Sequence, residues 1–202
     1  MGVVKATLGA DKKPELSASG PLVDKLGFRQ VAGPTSFAQW FNDVPGVNMS
    51  KKYTFEGLAP SGPAKTYTLG SGPFFPIDGA LLGNVDLVNP ATSNEPDKLK
   101  DEAHNQLFTL EAHAEITYHA GANELMIVEA DDDAWVFING RLAIDNGGVH
   151  AATPVLVQLD KAAVTLGLES GKVYPIDIFY ADRKLFGATL RIRSNMTFSK
   201  CL

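Results

Sequence analysis

From residue 108 to 118 the chain alternates almost strictly. Phe108, Leu110, Ala112, Ala114, Ile116 and Tyr118 fall on one side, and Thr109, Glu111, His113, Glu115 and Thr117 on the other. A period of two over that length marks a strand with one buried and one wet face. It exceeds the usual ~5–6 residues, which predicts a bulge or bend within it. Such a strand needs partners, and the downstream sequence supplies them. Residues 125–130 are apolar on both faces, as a central strand requires. Residues 134–138 form another and end in Asn139-Gly140, the strongest two-residue hairpin signal, after which 142–144 return. Val155, Val157 and Leu159 alternate with Leu156 and Gln158, and strands over 174–180 and 188–193 follow. Pro175 puts its strand near an edge, a strand start or a bulge.

The first half is less regular. Residues 1–35, with turn clusters at 9–14 and 17–21, read as a long loop or extended arm. Residues 35–41 read as a short helix capped by Ser36, with Phe37, Trp40 and Phe41 on one face. Residues 53–55 and 66–69 read as strands around a Pro/Gly turn at 60–63. Residues 74–79 form an aromatic-rich loop with Phe74 and Phe75 exposed, and 83–105 a long polar surface loop. Seven or more short strands with little helix indicate one all-β sandwich or barrel over 1–202.

Charge and cysteine content narrow the partners. A net charge of -5 argues against a nucleic-acid backbone or an anionic membrane surface. No apolar run approaches the ~18 residues of a spanning helix, so no membrane insertion is expected. Cys201 is the single cysteine, so no internal disulfide forms. The start lacks a signal-peptide core, so the chain is either cytoplasmic or a trimmed mature domain, and the bare Met-Gly start favours trimming, with a place outside the cell or at its surface.

Three stretches offer chemistry. Asp131-Asp132-Asp133 sits between two hydrophobic strands. Three like charges repel there. They are either plain turn residues or carboxylates gathered for a hard cation, and calcium suits oxygen donors without Cys or His clusters. Asp145-Asn146-Gly147-Gly148-Val149-His150 combines polar side chains with glycines that permit a sharp turn or a close approach to a ligand. It is also an ordinary loop composition. Residues 180–187 carry a strand into a charged loop containing Asp182, Arg183 and Lys184. No Ser-His-Asp order stands out, and Glu111, Glu115 and Glu129 each have a plain surface reading, so no enzyme is expected.

Together these residues resemble the fibro-slime domain, a branch of the PA14 β-sandwich superfamily. The resemblance rests on residues 131–142 and 145–150, and on the blocks 2–9, 36–48, 74–79, 166–174 and 178–183 in the family's order. It covers roughly residues 2–193. It implies a PA14-like antiparallel β-sandwich with long loops and a short helix. It implies calcium held by two consecutive aspartates joined by a cis peptide, which fall on Asp131 and Asp132. A second loop, carrying Asp182 and Arg183 here, would complete the metal site. Asp133, Trp135, Asp145, Asn146, Gly147, Gly148, His150 and Lys184 would surround the bound ligand, whose sugar hydroxyls fill the open positions on the ion. The family pattern in the second loop is Glu-Arg-His and then Gly-Ser-Asn. This chain has Asp182-Arg183-Lys184 and then Gly187-Ala188-Thr189, without the ligating Asn. An opening strand is expected upstream or from another chain. The implied function is an extracellular, calcium-dependent, lectin-like adhesion module whose partner is a glycan or cell-surface polysaccharide. The alternative is a structural or protein-interaction domain of a surface fibre, appendage tip or matrix, with other surface proteins as partners and calcium as a structural ion.

Overall fold

A computed structural model describes residues 2–18, 31–54, 58–61, 66–84, 103–184 and 187–201. These residues form two five-stranded antiparallel sheets packed as a sandwich. One sheet runs β1 (Leu58–Ser61), β2 (Thr66–Ser71), β9 (Thr189–Ser194), β4 (Leu125–Asp131) and β7 (Thr153–Gln158). The other runs β10 (Thr197–Cys201), β3 (Thr109–Thr117), β8 (Val173–Ala181), β5 (Asp133–Ile138) and β6 (Arg141–Asn146).

Alternation explains the layering. On β4, Met126, Val128 and Ala130 are fully buried, while Leu125, Ile127 and Glu129 are partly exposed. They meet Ala134, Val136 and Ile138 of β5 and Ile176, Ile178 and Tyr180 of β8 in one core. β5 is buried on both faces. Its other face, with Trp135 and Phe137, joins Phe179 beneath a third layer made of Val3, Val4, Val31, Phe37 and Phe41. Trp135 meets the rings of Phe37 and Phe41 edge-on. An aromatic buried this way contributes about 3–5 kcal/mol against alanine.

The opening residues are therefore a strap rather than a free arm. Val4 bridges Leu16, and Thr7 bridges Arg141 on β6. Leu8 N–H donates to Gly140 O, and Leu142 N–H to Ala6 O. The strap covers the β6 edge, which would otherwise present unpaired backbone groups. The Asn139-Gly140 turn beside it has φ of 54° and 69°, as the predicted tight hairpin needs.

Several expectations are corrected. Helix α1 spans Pro34–Ala38 with Gly33 as N-cap and proline in its first turn, so Ser36 lies inside it and caps nothing. Residues 53 and 54 are not strand, and residue 55 lies outside the described residues. Phe74 is buried against Phe108 and Tyr180, and Phe75 stacks on His104, so this block is packing rather than exposed surface. Most of the 83–105 loop lies outside the described residues. Leu159 does not extend β7. It opens helix α2 (Leu159–Leu166), whose Leu159, Ala162, Ala163 and Leu166 pack on the core at helical spacing, with Gly167 closing it in the left-handed region. β3 pairs with β8 in unbroken register, and the irregularity lies opposite it, in β10. Cys201 is the last residue of that strand. Pro175 is in an interior strand, but near its start, where β5 has already reached its end at Ile138.

On the wet face of β3, His113 Nδ1 lies 2.7 Å from Asp177 Oδ1, and its Nε2 faces Glu111, which also pairs with Lys13 of the strap. The Asp177 hydrogen bond, then that of Glu111, holds His113 up at about 9, against the opposing effect of burial. A folded-state value above the ordinary 6.5 makes this contribution complete below about pH 6.5 and lost as pH rises through about 9. The group is a third exposed, so screening reduces its worth to about 1 kcal/mol. Urea denaturation of wild type and His113→Gln at pH 6 and pH 9.5 should show a stability gap of that size at the lower pH only.

Candidate functional site

Four connections pass from one sheet to the other at the same end of the sandwich. They are residues 72–108, Asp132 alone, 147–152 and 182–188. Register makes them neighbours. Asp131 pairs with Thr189, Asp133 with Ala181, Ala134 with Asn146 and Ala130 with Thr153. The crossing at Asp132 is the tightest, with one residue between strands of different sheets. The Asp131–Asp132 peptide is cis, the geometry the resemblance implies.

Two acids meet at the centre. Asp132 accepts from the Arg183 backbone N–H at 2.9 Å through Oδ2. Asp182 accepts from the Leu107 N–H at 3.1 Å through its own Oδ2. The second oxygen of each, Asp132 Oδ1 and Asp182 Oδ1, is buried and has no hydrogen-bond partner among the described residues. Leaving such a group unsatisfied costs about 1–3 kcal/mol, more when it is charged. Asp182 is pushed up to about 7, by burial first and then by the Asp132 and Asp131 charges, against the Leu107 N–H. Asp131 is raised by burial and then by Asp132, with His150 and Lys184 pulling it back. Tyr180 donates its hydroxyl to Asp131 O at 2.6 Å and fixes the backbone entering the crossing.

Asp133 is turned away from this pair by the pleat. Its Oδ2 takes the Arg183 Nε at 2.5 Å and its Oδ1 the Gly148 N–H at 2.5 Å. Burial raises its carboxyl, while the Arg183 charge and the Gly148 N–H work against that rise. The Arg183 guanidinium also lies 5.2 Å from the Trp40 ring centroid. Arg183 is thus an ion-pair partner by its side chain, and the one oxygen it has to offer a metal is its backbone carbonyl.

The remaining predicted residues divide. His150 and Lys184 are near enough to Asp131 to affect its charge, and Lys184 is exposed. Trp135 is wholly buried in the third-layer core and cannot stack on a ligand. A Cβ on Gly147 would come within 2.6 Å of the Trp135 indole nitrogen, so that glycine serves packing. Asp145 accepts from the N–H groups of Gly2 and Gly147. Asn146 is buried and donates to Thr153 O. Asp145 ties the strap to the β6–β7 crossing, and Asn146 joins the two ends of that crossing. Sequence reasoning missed Leu107 and Trp40, which come from connections far away in the chain and carry no local pattern.

Among the described residues no three His, Cys, Asp or Glu side chains converge as a complete ligand cage. The donors present nevertheless fit a hard cation. They are oxygens, two are buried carboxylate oxygens without partners, and Asp131 stands beside them. An ion there would take its other ligands from backbone carbonyls, water or a bound molecule.

Comparison with known proteins gives one family. The PA14 domain model matches residues 65–197. Protein psiD of Dictyostelium discoideum is 38% identical over 198 residues, covering 98% of this chain and 36% of that protein. Protein psiC of the same organism is 32% identical over 197 residues, covering 98% and 36%. Protein psiQ is 32% identical over 200 residues, covering 96% and 18%. The chain therefore spans about a third or less of the length of these relatives. No solved structure matches.

The raised Asp182 carboxyl has a signed consequence. Its folded-state value lies above that of an unfolded aspartate, so without metal it destabilises the fold increasingly as pH rises from about 4 to about 7. In chelator at pH 8, Asp182→Asn should raise stability by about 1–3 kcal/mol, several degrees in thermal midpoint. At pH 4 the gain should vanish. A variant equally stabilised at both pH values would show that ionisation is not the cause.

Proposed function

The chain belongs to the PA14 domain family of binding and adhesion-type modules, and we propose that it is an extracellular calcium-dependent glycan-binding module. The observation that supports this is the pair of buried, unpartnered carboxylate oxygens on Asp132 and Asp182, with Asp131 beside them. Asp131, Asp132 and Asp182 would hold the ion by their side chains, and Arg183 by its backbone carbonyl. Calcium would supply open coordination positions to paired sugar hydroxyls. The chain's own residues do the rest. Tyr180 fixes the backbone at Asp131, Leu107 and Arg183 each hold one carboxylate oxygen, and Asp133 is kept for Arg183. His150 and Lys184 border the opening.

A second reading is favoured by one observation. Where the family pattern carries Asn, this chain has Thr189 within β9, paired with Asp131. In that reading the ion stiffens the crossing loops, and the domain joins a surface fibre or matrix by protein contacts.

Thermal unfolding in calcium and in chelator tests the ion first. Calcium at about 100 times its Kd should stabilise wild type by about 2.7 kcal/mol, several degrees in midpoint. Asp131→Asn/Asp132→Asn should abolish that response. A wild type indifferent to calcium removes the lectin mechanism. A calcium response without any hit on a glycan array moves the conclusion to the second reading.

A further inference from the structure

Three consecutive aspartates in one crossing would be expected to compete for one cation, yet the geometry divides them. Asp132 keeps a buried oxygen without a partner, while both oxygens of Asp133 are taken. Alternation along β5 already turns Asp133 to the Trp135 side, and Arg183 meets it there. The Arg183 guanidinium is held on two sides, by the fully buried Asp133 carboxylate at 2.5 Å and by the Trp40 ring at 5.2 Å. Its stem and head are largely covered, with 13% of the side chain exposed. A guanidinium held on two sides, on a largely covered stem, restricts the backbone that carries it. That backbone N–H donates to Asp132 Oδ2 at 2.9 Å, leaving Oδ1 as the unpartnered oxygen. Its chain neighbour is Asp182, whose N–H donates to Phe108 O.

We propose that Arg183 is the positioning residue of the cation site: clamped between Asp133 and Trp40, it orients Asp132 towards the ion and keeps Asp133 paired away from it. Arginine suits the role and lysine does not, because only a planar fork can pair with a carboxylate edge and lie on a ring together. The clamp also joins the site to the third layer. Trp40 follows helix α1, and its partner Phe37 packs on Trp135 two residues from Asp133. This proposal rests on the cation reading above.

Removing Arg183 alone would strand a buried negative charge and risk unfolding the chain. The test therefore uses Asp133→Leu/Arg183→Met, which removes both charges and keeps an apolar stem over Trp40. Arg183→Lys serves as the second variant and keeps the charge. Calcium affinity is measured by titration calorimetry on the full chain. Amide exchange across residues 181–184 is measured in chelator, where no ion contributes. The double variant should fold, bind calcium at least tenfold more weakly, and exchange faster at residue 183. Arg183→Lys should also lose affinity, by several-fold. Wild-type affinity in a folded double variant overturns the proposal, and if that variant does not fold, wild-type affinity in Arg183→Lys does so. A wild type that takes up no calcium overturns the cation reading and this proposal with it. Faster exchange at residue 183 in that case would still mark the clamp as a structural device.

Discussion

The chain passes from one sheet to the other through a single residue, Asp132, and the site depends on that passage. β4 ends at Asp131 in one sheet and β5 begins at Asp133 in the other. The same two sheets are exchanged between β8 and β9, directly alongside, because Asp133 pairs with Ala181 and Asp131 with Thr189. Asp182 is therefore carried to Asp132 by strand register, not by its own loop. A slip of one residue in either pairing would reverse which side chains face in. The long interior strands, with alternate positions buried to near zero exposure, hold the register in place.

Similar carboxylates then acquire different chemistry from their surroundings. Asp133 is as deeply buried as Asp132, but a guanidinium and a backbone N–H offset its desolvation. Breaking such a buried pair costs about 3–5 kcal/mol, so Asp133 and Arg183 are committed to one another. Asp132 takes the Arg183 backbone N–H and Asp182 the backbone N–H groups of Leu107 and Lys184, and neither has a guanidinium paired with it as Asp133 has. Their remaining oxygens store an unfavourable interaction that a bound cation would relieve. With those two oxygens unpartnered, the crossing is less comfortable by itself than a turn of three ordinary aspartates would be.

Much of the sandwich was legible because period-two patterning is a direct image of a pleat. The alternation at 108–118 became β3, and Asn139-Gly140 became a turn with both residues at positive φ. Helix α2 was hidden because Val155, Val157 and Leu159 continue a strand pattern into the first residue of a helical one. The strap was hidden because Gly- and Pro-rich sequence carries no period, although Val3 and Val4 are among the most buried residues. At the site, the cluster Asp131-Asp132-Asp133 was visible, but its division was not. Trp135 was read as a ligand contact because it lies in the motif, whereas the pleat sends it with Asp133 into the third layer. Leu107 and Trp40 reach the site from distant parts of the chain, and nothing local in the sequence signals that.

The two proposed readings, a sugar-holding ion and a structural one, part at Thr189. Directly paired residues of antiparallel strands share a face, so Thr189 stands on the same side as Asp131, at the rim of the acidic crossing. A threonine hydroxyl is a hard neutral donor like an amide oxygen, but it is attached one bond closer to the backbone. Part of its space is already shared with the tight Gly72 turn, where a Cβ would meet the Thr189 side chain at 3.2 Å. Relative to an asparagine, this position reaches less far towards an ion held by Asp132 and Asp182. Fewer protein ligands leave more coordination positions to be filled from outside, by water in a structural site or by ligand hydroxyls in a binding one. In the proposed site Thr189 thus leaves the acidic half as it is and supplies no amide oxygen, which is what keeps the structural reading beside the glycan-binding one.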